Sequence, residues 1–354
     1  MHSAIKYFLG SNTNEGFCSF FDELYNPEED WRVYVIKGGP GCGKSTLMGK
    51  LADEMMSRGE KCEKVMCSSD PKSHDAVIFR DRKIAMVDGT APHIIEPKYY
   101  GAVEEIVNLG DTPDKEKLRA CADEIRKLTQ ENACCYKKAT NYLKAAASLT
   151  RNSKRLQDEY IDYEKLYNYV VRFAKRELHG CEKDGKVSYR FLTAITNEGE
   201  VTFEECINGQ YHQIINIEDP IGGVSGQLLD CLMTVAMDCG INAIAGVSPF
   251  DTDELLQILF PDCGLALITQ TPSITPTRTV HVSRFINTDG LKSHKYRIAF
   301  NRKAAKELKS VAISCLSEAK GIHDQIEKIY VDAANFDKVN AMSDRTIQSI
   351  LEKL

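Results

Sequence analysis

The stretch Trp31 to Met55, WRVYVIKGGPGCGKSTLMGKLADEM, constrains this chain more than any other. The apolar run from Val33 to Ile36 predicts a buried strand. Gly38 to Gly43 predict a glycine loop. Leu47, Leu51 and Met55 then fall on one face of a helix that opens at Lys44. The loop fits G-x-x-x-x-G-K-[ST], with Gly38, Gly43, Lys44 and Ser45 at the fixed positions. Glycines let a backbone wrap inward without Cβ atoms in the way. Successive N–H groups then converge on one anion, and the helix behind them adds its positive end. The pattern predicts a phosphate cradle made by Gly38, Gly39, Pro40, Gly41, Cys42, Gly43, Lys44, Ser45 and Thr46. Lys44 is expected to reach the β- and γ-phosphates and the Ser45 hydroxyl to hold Mg²⁺. The plainer alternative is a glycine-rich turn with a surface lysine, and the strand and amphipathic helix on either side argue against it.

A second strand is predicted at Lys64 to Cys67 and a third at Lys83 to Asp88, apolar through its middle and ending in a carboxylate. That placement predicts Asp88 as the second Mg²⁺ ligand, against the alternative of a simple Asp-Gly turn with Gly89. Many sites of this kind carry a glutamate after that aspartate; here Gly89 follows, and the general base is missing. His93 and Glu96, in the next loop, are the candidates to position a water, the alternative being solvated loop residues. Asp70 is a further candidate, or else the cap of a helix over Ser73 to Phe79. The expected catalytic set is therefore Lys44, Asp88, Glu96 and His93, with Ser45 and Asp88 on the metal.

At 354 residues the chain is long enough for two or more domains. A net charge of −6 gives no support for a nucleic-acid surface. The 13 cysteines have neither C-x-x-C nor zinc spacing, which suits thiols in a reducing cytosol. With no run as long as a membrane span and no signal-like start, a cytoplasmic protein is expected.

From Thr112 to about His179, apolar residues recur at helical spacing, as in Leu118, Cys121, Ile125 and Leu128. This predicts a helical hairpin, broken near Arg151-Asn152-Ser153. It would pack on its own domain, or serve as a lid or an arm for a protein partner.

The second half repeats the first. Phe8-Leu9 recurs as Phe191-Leu192 and Asn14-Glu15-Gly16 as Asn197-Glu198-Gly199, at an offset of 183. At an offset of 180, Pro40, Gly43 and Ser45 fall on Pro220, Gly223 and Ser225; at 181, Asp81, Ala85 and Thr90 fall on Asp262, Ala266 and Thr271. The copy is degenerate: Val224 stands for Lys44, Glu218 for Gly38 and Thr269 for Asp88. It is expected not to bind Mg-nucleotide. Arg278, Arg284 or Arg297 could lend a cation to the first site, the alternative being a purely structural second half. The expected fold is α/β: a three-layer parallel P-loop sheet, tandemly duplicated, with helical hairpin insertions. The expected divisions are 1–112 (P-loop domain), 113–182 (hairpin and linker, with the linker at Gly180 to Gly185), 183–301 (degenerate copy) and 302–354 (helical).

The blocks KGGPGCGKSTLM, CSSDPKS, VDGTAPHIIEPKYYGAVEEIVNLGD and GIHDQIEKIYVDAANFDKV resemble an uncharacterised family of bacterial ATP-binding proteins, often labelled simply ATPase and built from two P-loop halves. The resemblance covers nearly the whole chain. In that family the second half commonly keeps its own P-loop and D-G-T-A-P-H block; this chain departs there, with Val224 and with TQTPSI at Thr269 to Ile274. The resemblance implies ATP binding. Together these readings predict Mg-dependent ATP hydrolysis at one site in the first half. The alternatives are a small-molecule or nucleoside kinase, with Asp70 or Glu96 taking the acceptor's proton, and a non-catalytic nucleotide-dependent switch. The absence of an N-K-x-D guanine signature favours ATP over GTP.

Overall fold

The structure, a computed structural model, describes residues 4–179, 185–269 and 274–354. Most of the expected Gly180 to Gly185 linker, Thr271, and most of the Thr269 to Ile274 block lie outside the described residues.

The first half runs β1 (Ile5–Tyr7), β2 (Gly10–Thr13), β3 (Gly16–Ser19), β4 (Arg32–Lys37), α1 (Lys44–Ser57), β5 (Glu63–Met66), β6 (His74–Phe79), β7 (Ile84–Asp88) and β8 (Glu104–Asn108). Three helices follow: α2 (Lys115–Ala120), α3 (Ala122–Asp158) and α4 (Tyr163–Glu177). The second half runs β9 (Val187–Arg190), β10 (Thr193–Thr196), β11 (Gly199–Thr202), β12 (Gln213–Glu218), α5 (Gly223–Asp238), β13 (Ala243–Val247), β14 (Leu255–Phe260), β15 (Leu265–Thr269) and β16 (Arg278–His281). It ends in α6 (Thr288–Leu291), α7 (Lys295–Asp332) and α8 (Phe336–Leu351).

Each half builds a six-stranded sheet, ordered β1-β5-β6-β7-β4-β8 in the first and β9-β13-β14-β15-β12-β16 in the second. The order is the same element for element, as a tandem duplication of one α/β unit requires. The sheets are mixed, which corrects the expectation of parallel ones: β6 runs antiparallel to both β5 and β7, and β14 to both β13 and β15. The segment weighed as a helix over Ser73 to Phe79 is strand β6, and β8 lies in what read as loop. In β6, Val77, Ile78 and Phe79 form a β-branched and aromatic run that favours a pleated, buried surface.

The layering also differs from expectation. Strand alternation sends Tyr34, Ile36, Val77 and Met86 to one face, where they pack with Leu47, Leu51 and Met55 of α1. It sends Val33, Val35, Ile78, Ala85 and Val87 to the other, where they meet Ile214, Leu259, Ala266 and Ile268 of the second sheet. The two sheets thus face each other and only their outer faces carry helices. The order of layers is helix, sheet, sheet, helix.

Phe8 and Phe191, equivalent at an offset of 183, exchange both backbone hydrogen bonds at 2.9 Å. Two equivalent residues paired antiparallel define a local two-fold axis. The hairpin β2–β3 meets its copy β10–β11 beside this axis; Asn12 Nδ2 donates to Ile195 O at 3.2 Å.

The helices cross between halves. The 37-residue α3 runs unbroken through Arg151-Asn152-Ser153 to Asp158 and does not fold back on α4. Its partner is α7 of 38 residues, antiparallel to it: Asn132 Nδ2 donates to Ala319 O (2.7 Å) and Asn301 Nδ2 to Asn152 Oδ1 (3.0 Å). Each helix is about 55 Å long at 1.5 Å per residue. Beyond this pair, α4 packs Leu166, Val170 and Phe173 onto Leu228 and Leu232 of α5, in the second half. Reciprocally, α8 packs Ile350, Met342 and Ile347 onto the α1 side of the first. All twelve described cysteines are free thiols, and no described helix is long and apolar enough to cross a membrane.

Candidate functional site

The glycine loop of the first half joins β4 to α1 at the carboxyl end of the sheet. Gly41 (φ 67°) and Gly43 (φ 89°) take left-handed conformations that a side chain would strain. Gly43 caps α1, whose first turn contains no acid, so the helix presents its N-terminal N–H groups beside a lysine. Lys44 Nζ folds back over the loop and donates to Gly38 O (2.9 Å) and Gly39 O (3.0 Å). It also stands 3.5 Å from Asp88 Oδ2 at the end of β7, and both side chains are largely buried. β7 is hydrogen-bonded directly to β4, which brings Asp88 beside the loop. The other carboxylate oxygen accepts from Thr90 N (2.9 Å) and Oγ1 (2.6 Å), which fixes its rotamer. Ser45 Oγ accepts from His74 N (2.9 Å) and lies 3.3 Å from His74 Nδ1.

The structure thus brings Lys44, Ser45 and Asp88 together. His93 is buried nearby, its ring stacked on Phe21 at 4.3 Å. Burial holds its pKa below the ordinary value, with Asp88 pulling the other way and Lys44 adding to the depression. Glu96 is exposed and paired with Lys37 Nζ at 2.7 Å, an ammonium that also donates to Gly89 O and Ile95 O.

Sequence reasoning missed the residues that arrive from the far end of the chain. The last turns of α7 lie on the glycine loop. A Cβ on Gly39 would stand 2.5 Å from the Tyr330 ring, and one on Gly41 2.7 Å from Val331 and 2.9 Å from Glu327. Glycine at these two positions therefore also permits close approach of a helix. Gly39→Ala is expected to destabilise the chain by about 1–3 kcal/mol through overpacking, and Tyr330→Ala in the same chain to restore most of it. Denaturant unfolding measures both; an unchanged Gly39→Ala would mean that α7 does not pack there.

A cation does cross between halves, but not from the arginines expected. Arg278 pairs with Glu177 (3.1 Å) and Arg284 stacks on Tyr169 and Phe285, both held by α4 and its surroundings. Arg297 lies in the first turn of α7, roughly 45 Å of helix from the turns that touch the loop. Lys320 of α7 does cross, 3.9 Å from Asp70.

The second loop differs in a way the sequence comparison misaligned. Its αL cap is Gly222 (φ 88°), matching Gly43 at an offset of 179, while β12 matches β4 at 181. The loop is two residues shorter. Gly223, not Val224, stands for Lys44, and Glu218 stands for Lys37. Gly38 is replaced by Asp219, whose buried carboxylate fills the cradle. Oδ1 accepts from Ile221 N (3.2 Å) and Gly222 N (2.9 Å), and Oδ2 from Val224 N (2.8 Å) and Ser225 N (2.9 Å). Gly223 N donates to Gln157 Oε1 of α3 at 3.0 Å. Lys154 of α3 pairs with Glu254, and Arg151 with Asp251 at 2.6 Å. So α3 sits on the second loop as α7 sits on the first.

The family described as Nephrocystin 3, N-terminal, matches residues 17–86. That span runs from β3 through the glycine loop and α1 into β7, stops short of Asp88, and leaves the second half untouched. No curated protein matches the chain. No solved structure matches it either.

Proposed function

We propose that the first half is a P-loop nucleotide site that binds ATP with Mg²⁺ and hydrolyses it. The observation that carries this reading is Lys44 beside Asp88, at the end of a left-handed glycine loop whose helix has no acid in its first turn. A loop of converging N–H groups with a cation on one wall suits the polyphosphate of a nucleotide. In binding, Lys44 exchanges the Gly38 and Gly39 carbonyls for phosphate oxygens.

The donor set fits Mg²⁺. Ser45 Oγ and Asp88 Oδ2 are hard oxygen donors, and Asp88 is held in place by Thr90. When bound, the ion supplies charge neutralisation at the β- and γ-phosphates. The chain's own part is to orient: the loop fixes the phosphates and Lys44 follows the charge that develops on the transferred group.

The packing of Tyr330 and Val331 on Gly39 and Gly41 favours a second reading beside the first. A nucleotide entering the loop meets α7, and displacing α7 moves its partner α3, so occupancy reaches the second half. One titration addresses both readings. Calorimetry with Mg-ATP is expected to give one site per chain, with steady phosphate release in the same samples. Increased protease cleavage of α7 on binding supports coupling. Two equal sites, or none, would overturn the assignment.

A further inference from the structure

The proposed reaction still needs a proton acceptor, and beside His93 the structure holds a carboxylate that no motif announces. Asp75 lies on β6, two strands from the glycine loop, at the same carboxyl edge of the sheet as Asp88. It is the extra residue of a β-bulge: Met66 pairs with His74 and Val65 with Ala76, which leaves Asp75 unpaired. Bulges re-aim side chains and recur beside active sites. Asp75 is buried, and its Oδ1 lies 4.0 Å from Nε2 of the buried His93. Neither ring nitrogen of His93 has a hydrogen-bond partner among the described residues. An imidazole buried in this way is costly unless something completes it.

The duplication supplies an internal comparison. β14 carries the same bulge, with Val247 opposite Leu255 and Gly246 opposite Gln257. At the offset of 181 that relates these strands, Asp75 becomes Leu256. The half whose cradle is filled by its own carboxylate has an apolar residue at the bulge where the other half has an ionisable one. The fold therefore does not need charge at the bulge.

We infer that Asp75 and His93 form the proton-accepting pair of the first half's phosphoryl site, an inference that rests on the nucleotide reading above. As the water oxygen bonds to the γ-phosphorus, its O–H bond breaks and the proton passes to His93. The bond from γ-phosphorus to the bridging oxygen breaks, and its electron pair leaves with ADP. Asp75 is the positioning residue, holding the imidazole and balancing the imidazolium that forms. The charged or titratable groups facing the pair are Asp88, Lys44, Asp70 and Cys67, with Phe21 and Phe17 as the rings beside His93. Burial, then the Asp88 charge, pushes the Asp75 carboxyl up to about 7, while burial keeps His93 neutral to below its ordinary value. The pair thus gains its anion as pH rises through about 7, and turnover rises with it.

The test compares wild type, His93→Gln, Asp75→Asn and the double variant Asp75→Leu/His93→Gln, whose leucine is the residue the second half carries at its bulge. Each is titrated with Mg-ATP by calorimetry and assayed for phosphate release from pH 5 to 9. His93→Gln and the double variant are expected to lose about 10²-fold in kcat with unchanged nucleotide affinity. Asp75→Asn is expected to abolish the rise near pH 7. Unchanged turnover in the folded double variant would overturn the inference and leave the nucleotide reading intact. A wild type that binds Mg-ATP but releases no phosphate at any pH would overturn the inference together with the proposed hydrolysis, and leave nucleotide binding standing. A wild type that does not bind Mg-ATP would overturn both.

Discussion

Lys44→Ala is expected to weaken Mg-ATP binding about 10³-fold while leaving the fold in place. The ammonium is largely buried, with partners that are either backbone carbonyls of its own loop or the Asp88 carboxylate. Removing a buried charged partner from an ion pair costs about 2–5 kcal/mol, and 4 kcal/mol is about three decades of affinity. The loss has two parts. The phosphates lose their cation, and Asp88 is left as an uncompensated anion facing them. Lys44→Met should behave alike, because the stem alone cannot replace the charge. Asp88→Asn in the same chain should recover part of the loss in Lys44→Ala by removing the repulsion. Calorimetric titration with Mg-ATP and thermal unfolding of the same samples separate affinity from stability. Retained affinity in a folded Lys44→Ala chain would remove the glycine loop as the nucleotide site.

The second large effect is in the other half. Asp219→Ala is expected to destabilise the chain by about 3–5 kcal/mol. Four N–H groups donate to that buried carboxylate, and alanine leaves them converging on nothing. Asp219→Asn keeps one oxygen and should fall between. The variant should also acquire a property wild type lacks: millimolar inorganic phosphate should raise the unfolding midpoint of Asp219→Ala and not that of wild type, because a ligand that binds only the native state stabilises it by mass action. Urea unfolding with and without phosphate measures both. A loss under about 1 kcal/mol would mean that the carboxylate does not hold the loop.

These two expectations show where the sequence was readable. The strand, loop and helix around Lys44 were legible because the chemistry is local: glycines, lysine and serine within eight residues, flanked by clear hydrophobic periods. The duplication was legible because its offsets hold steady along the strands. The offset breaks at the loop, where two residues are missing, and a comparison by identity set Gly43 against Gly223 when backbone geometry sets it against Gly222. That one-residue slip hid the substitution that matters, Asp219 for Gly38. The mixed sheet was misread because its antiparallel member, β6, is a short run apolar on both faces, with no period that tells a strand from the helix weighed over Ser73 to Phe79. The helical hairpin was misread for a different reason. The pattern in Leu118 to Leu128 states that a helix has an apolar face, and cannot state that its partner is α7, more than a hundred residues away. Asp75 could have been found by listing strand positions that are polar in the first half and apolar in the second.

The crossing of the helices has one more consequence. Two copies of a single half, each lending its helical tail to the other across a two-fold axis, would be a domain-swapped homodimer. Here the second copy follows the first in one chain, so the exchange is intramolecular and the tether stands in for concentration. A homodimer must carry every substitution twice. A fused pair need not: one cradle could be closed by an aspartate and its bulge made apolar while the other stayed open. The asymmetry between Asp219 and Gly38 is a freedom that only covalent joining of the protomers provides.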